Sequence, residues 1–213
     1  MRSNLYKASN DQTITILGLG SLLLEEWAKK TCPNLTNFRL AKIQGYKRIF
    51  NKTDSFLVRN DLKPENSIAY ACLSAVPSND TPEMIVSSFE IPLSEWAPFV
   101  QREFEYRLIQ TAFTEIETEE KGRGVLCVGD YKNDQECEHI VNADPLRLER
   151  WKQFRAKYNG PMWRYDLLPE PEYLKTCLDT ARKCGDDVFD NFVDTTFTGD
   201  GRSIRTYLKE TTL

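Results

Sequence analysis

The chain has 213 residues, of which 40% are apolar and 28% charged, as in an ordinary globular domain long enough to bury a core. Its net charge of −4 argues against nucleic acid or an anionic membrane surface as a partner. No apolar run approaches the length of a membrane span, and the polar stretch Met1–Gln12 lacks the apolar centre of a signal peptide, so a frayed tail and a cytoplasmic location are expected.

Residue counts narrow the chemistry. The six cysteines are scattered without a C-x-x-C pair, so neither a zinc site nor a disulfide framework is expected. Cys72 and Cys127 sit in strand-like runs, where a thiol packs as a small hydrophobe. His139 is the only histidine and falls in the polar stretch Asn133–Asn142, read as a loop or short edge strand. Proton chemistry therefore falls to a carboxylate, a lysine or a tyrosine.

Taken in chain order, Thr13–Leu17 is a β-branched run that stops at Gly18-Leu19-Gly20-Ser21. The glycines permit a sharp turn, and Ser21 can cap a helix starting near Leu22. Such a turn is either a ligand-free reversal or a place where backbone N–H groups meet an anion or a developing oxyanion. Phe38–Ile43 and Tyr46–Phe50 form one bent strand or two short ones, and Ser55–Arg59 reads as another. Strands are expected at Ser67–Val76 and Met84–Ile91. Leu108–Ile116 and Gly124–Val128 read as a hairpin across an acidic loop.

A helix over Trp96–Tyr106 interrupts this β-rich half. Positions 96, 99, 100, 103 and 107 share its apolar face, so Glu103 points inward while Gln101, Arg102 and Glu105 point elsewhere. An inward carboxylate is costly unless used or paired, and Arg48, Arg39 or Arg107 are the pairing alternatives. From Asp144 the pattern turns helical. Helices are expected after Asp144-Pro145, over Pro171–Cys184, over Asp186–Thr195 and over Ser203–Lys209. Trp163–Pro169 reads as an extended docking segment and Thr196–Arg202 as a turn. A single domain over 1–213 is expected, with a β-rich core at 13–131 and a helical extension at 144–213 packed on it.

Three segments resemble the gamma-glutamylcyclotransferase-like family. They are the turn Leu17-Gly18-Leu19-Gly20-Ser21-Leu22, the run Gln44-Gly45-Tyr46-Lys47-Arg48-Ile49-Phe50, and Gln101-Arg102-Glu103-Phe104-Glu105-Tyr106. The resemblance spans roughly 13–131. It implies an α+β fold: a small mixed β-barrel with flanking helices, a cavity at its mouth and, here, a helical C-terminal extension.

It also implies a reaction, the cyclisation of a γ-glutamyl group to 5-oxoproline with release of an amine or amino acid. No cofactor and no metal is implied, and the expected partner is a small γ-glutamyl compound. Glu103 takes the catalytic position. Leu19, Gly20, Ser21 and Leu22 take the substrate-binding position, with Arg48 and Tyr106 lining the cavity or engaged in packing and pairing. Two departures stand out: Leu19 replaces an aromatic residue, and Phe104 replaces a small one, and either could narrow the cavity. The alternative is a catalytically silent member of the same fold, kept as a small-molecule or protein-binding module. A dinucleotide site is disfavoured, because Leu23 stands where the third glycine of that fingerprint belongs.

Overall fold

The computed structural model describes residues 13–211; the expected tail Met1–Gln12 lies outside them. The strands are β1 (Thr13–Gly18), β2 (Thr36–Ile43), β3 (Tyr46–Thr53), β4 (Ala69–Pro77), β5 (Met84–Pro92), β6 (Arg107–Glu115), β7 (Lys121–Val128), β8 (Leu168–Pro169) and β9 (Thr196–Thr198). The helices are α1 (Glu25–Thr31), α2 (Ser55–Arg59), α3 (Trp96–Arg102), α4 (Asp134–Asn142), α5 (Pro145–Lys157), α6 (Pro171–Lys183), α7 (Asp186–Thr195) and α8 (Ile204–Glu210).

β1, β5, β2, β6 and β7 follow one another as antiparallel neighbours. β7 then pairs in parallel with β1 through Ile16–Val125 and Leu17–Leu126, which closes the ring. This is the small mixed barrel expected from the sequence. Leu17, Ala41, Met84, Val86, Phe113 and Leu126 fill its interior, each removing apolar surface from water at about 25 cal/mol per Å². β4 leaves the ring by a parallel contact with β7 and carries β3 as its antiparallel partner. β2 and β3 are therefore two strands with different neighbours, not one bent strand.

Three local expectations are corrected. Ser55–Arg59 is helix, not strand, because Asp54 Oδ1 accepts from the N–H groups of Phe56 and Leu57 at 2.8 and 3.0 Å. Asn133–Asn142 is not a loop or strand but ends in the helix α4. Asn133 caps the Glu136 N–H, and the Glu136 carboxylate reaches back to the Lys132 N–H. His139 is exposed on that helix. The expected turn from Thr196 begins as β9, which pairs in parallel with β3.

The region after Asn133 folds onto the core along two seams. α6, α7 and α8 cover the outer face of β3 and β4 with Leu174, Cys177, Phe192, Val193 and Ile204. α4 and α5 bury Cys137, Val141, Trp151 and Phe154 against Phe104 and Tyr106. β8 and β9 also enter the sheet, by pairing with β4 and β3. The extension is thus woven into the sheet as well as packed on it. The six cysteines are free thiols, and among the described residues no helix is long and apolar enough to cross a membrane.

Candidate active site

A cavity of about 580 Å³ opens where the end of β1 and the start of β4 meet the α3–β6 turn. The helix α3 is shorter than the sequence pattern suggests: it ends at Arg102, and Glu103 leaves it at φ −93°, ψ 35°. The Glu103 carbonyl then accepts from the Tyr106 N–H at 3.1 Å, a tight turn that hands the chain to β6. This turn sorts four consecutive side chains. Glu103, Glu105 and Tyr106 line the cavity. Phe104 points away and packs edge-on to Trp151, with ring centroids 6.5 Å apart. Phe104 therefore does not narrow the cavity, contrary to expectation.

Glu103 faces the cavity with a side chain 15% exposed. Burial raises its proton affinity; Arg102 opposes this, Glu105 adds to it and Lys52 opposes it, and the result stands above the ordinary value of 4.5. Its ion-pair partner is Arg102, with Nε 3.0 Å from Oε1, and not Arg48, Arg39 or Arg107. Arg102 is half exposed and also donates to Thr31 Oγ1, so the pair sits at the rim.

The turn after β1 shares this cavity: Leu19, Ser21 and Leu22 lie on its wall. Gly20 lies beneath the wall, at φ +55°, with no room for a side chain. A Cβ there would meet Cys177 Sγ at 2.9 Å and the Tyr173 hydroxyl at 3.1 Å. The segment Gly20–Leu23 is a 3₁₀ turn, and the helix α1 starts only at Glu25 without a side-chain cap, so Ser21 is not an N-cap. Two of the expected amides are engaged within the protein. The Leu22 N–H donates to the Leu19 carbonyl at 3.0 Å, and the Ser21 N–H faces the Cys177 sulfur. The Ser21 hydroxyl has no hydrogen-bond partner among the described residues.

Arg48 does not line the cavity. It is fully buried in β3, where it donates to Thr195 Oγ1 at 2.9 Å and to the Ile85 carbonyl, with its guanidinium 5.0 Å from the Phe192 ring. Burial lowers it to about 9, still charged at neutral pH. It joins the sheet to α7. Tyr106 does line the cavity, but its hydroxyl is committed to the Leu73 carbonyl at 2.6 Å.

Several lining groups escaped the sequence reading. Glu105, assigned outward by helical spacing, is 2% exposed and is the more deeply buried of the two glutamates. Its Oε1 accepts from Lys52 Nζ at 2.5 Å and from Ser55 Oγ at 2.7 Å. Burial pulls Lys52 down, but Glu105, Cys72 and Asp54 outweigh it and hold the ammonium above its ordinary value. The extension also reaches the site, supplying Arg150 from α5 and Tyr173 from α6. No periodicity marks these positions, because they converge from separate elements.

No protein-family model and no curated protein matches the chain. Solved structures do. An uncharacterized protein from Homo sapiens is 17% identical over 70% of this chain and 90% of that one, with a TM-score of 0.43. A gamma-glutamyl cyclotransferase is also 17% identical, over 70% and 92%, with a TM-score of 0.42. A protein from Arabidopsis thaliana is 14% identical over 73% and 99%, with a TM-score of 0.40. The chain is similar to these solved structures at these identities, coverages and scores.

Proposed function

We propose that the protein is a cyclotransferase that converts a γ-glutamyl compound to 5-oxoproline. The observation that carries this reading is the position of Glu103, a largely buried carboxylate of raised proton affinity on the same cavity wall system as the Leu19–Leu22 turn. The substrate's α-ammonium first gives a proton to Glu103. The freed amine attacks its own side-chain carbonyl carbon, and a C–N bond closes the five-membered ring. Glu103 passes its proton to the leaving nitrogen, then takes the second proton from the attacking nitrogen as the bond to the leaving nitrogen breaks, and hands that proton to the released amine, which departs as an ammonium. No water and no redox partner enters the balance. In this reading the Ser21 hydroxyl, on the cavity wall, donates to the carbonyl oxygen as charge gathers there.

A panel of γ-glutamyl compounds assayed for ring-closed product tests this. Wild type should release 5-oxoproline from at least one of them, and Glu103→Gln should not, while its circular dichroism stays native. A second reading is a silent binding module of the same fold, and the Arg102–Glu103 ion pair favours it. Ligand binding without turnover, equal in wild type and Glu103→Gln, would establish that second reading instead.

A further inference from the structure

The half-buried arginines of this protein are almost all matched with acids. Arg39 meets Glu90 at 2.8 Å, Arg107 meets Asp130 at 3.0 Å and Arg155 meets Asp134 at 2.6 Å. Two arginines on the cavity wall break this pattern. Arg59, on α2, and Arg150, on α5, form no ion pair with any carboxylate among the described residues. Both are half-buried, and their helices pack on each other. The Arg59 Nε is buried without any hydrogen-bond partner, and its guanidinium rests over the Phe104 ring at 6.0 Å.

Two unmatched guanidiniums on one cavity wall are unfavourable. Burial first, and then the Arg150 charge, pull Arg59 below its ordinary value. An anion between them would relieve that repulsion and accept several charge-assisted hydrogen bonds. We propose that Arg59 and Arg150 form an anion subsite of this cavity, and that it takes a carboxylate on the part of a γ-glutamyl compound that leaves. The assignment to the leaving part rests on the cyclotransferase reading. In that reading the α-ammonium and the α-carboxylate share one carbon and both sit by Glu103. Glu103 lies on the α3–β6 turn, whereas the two arginines come from α2 and α5, so base and arginines occupy different elements of one cavity wall. The substrate class is a γ-glutamyl amino acid or peptide with a free carboxylate, in preference to a γ-glutamylamine.

The test compares γ-glutamyl-alanine, γ-glutamyl-alaninamide, and γ-glutamyl-alanine amidated at its α-carboxyl, in wild type, Arg150→Gln and Arg150→Lys. Wild type should prefer γ-glutamyl-alanine over the alaninamide by about tenfold or more in kcat/KM, as one charge-assisted contact warrants. Arg150→Gln should raise KM for γ-glutamyl-alanine several-fold more than for the alaninamide, and Arg150→Lys should restore part of the preference. Calorimetric binding of the α-amidated compound should remain sensitive to Arg150→Gln. Equal effects on both leaving groups, or sensitivity lost only on α-amidation, would overturn the subsite. If none of the compounds is turned over, the cyclotransferase reading fails by itself. Calorimetry on the same three proteins then decides the subsite: a carboxylate preference that disappears in Arg150→Gln upholds it, and binding without that preference, or no binding, overturns it.

Discussion

The ammonium of Lys52 lies 2.5 Å from Oε1 of Glu105, and both side chains are almost wholly buried beside the cavity. This pair ties the end of β3 to the turn that carries Glu103. A buried pair of this kind adds little net stability over apolar residues, yet removing one member strands the other charge. Lys52→Met should therefore destabilise the protein by about 3–5 kcal/mol, read from the urea midpoint. The double variant Lys52→Met, Glu105→Gln should recover a large part of that loss. A double variant as unstable as Lys52→Met would show that the stranded carboxylate is not the cause.

Glu103 has the strongest predicted effect on activity. Glu103→Gln should lower kcat by about 10²–10⁴, the usual worth of a positioned acid–base group. In wild type the acid limb of the pH–rate profile should have its midpoint above 4.5, since burial and Glu105 outweigh Arg102 and Lys52. Stability follows with a definite sign. The native state holds this proton more tightly than the unfolded chain does. The resulting stabilisation is complete below 4.5 and is lost as pH rises through the native value. Glu103→Gln should accordingly gain in Tm relative to wild type between acidic and neutral pH. A Tm difference that does not change with pH would contradict the burial argument.

Gly20 is required by two independent constraints, its positive φ and the Cys177 sulfur beneath it. Gly20→Ala should cost about 1–3 kcal/mol of stability, as expected for a residue forced into left-handed backbone. Adding Cys177→Ala removes the closest contact but neither the Tyr173 hydroxyl at 3.1 Å nor the backbone strain, so the double variant should recover only part of the loss in thermal melts.

Phe104 separates two roles that the sequence left merged. Were it a gate on the cavity, Phe104→Ala would widen substrate acceptance at little cost in stability. Packed against Trp151 and fully buried, it should instead cost about 3–5 kcal/mol. Chemical denaturation beside a KM series across leaving groups of increasing size distinguishes these outcomes.

Alternation and breakers in the chain were enough to place most strands, the helices after Asp144 and the bend after β1, because these are local effects of side-chain spacing and backbone freedom. Inward placement of Glu103 was also legible, although the helix that suggested it stops one residue earlier. The caps at Asp54 and Asn133 were present in the sequence as short-range signals and mark α2 and α4. Tertiary structure alone decided the rest. Arg48 was drawn into the protein by Thr195, a residue far along the chain, and Glu105 was turned inward by Lys52. Closure of the barrel through β1 and β7, and the arrival of Arg150 and Tyr173 at the cavity, depend on contacts between distant segments. No local pattern encodes such contacts, since their energy exists only once the chain has brought both partners together.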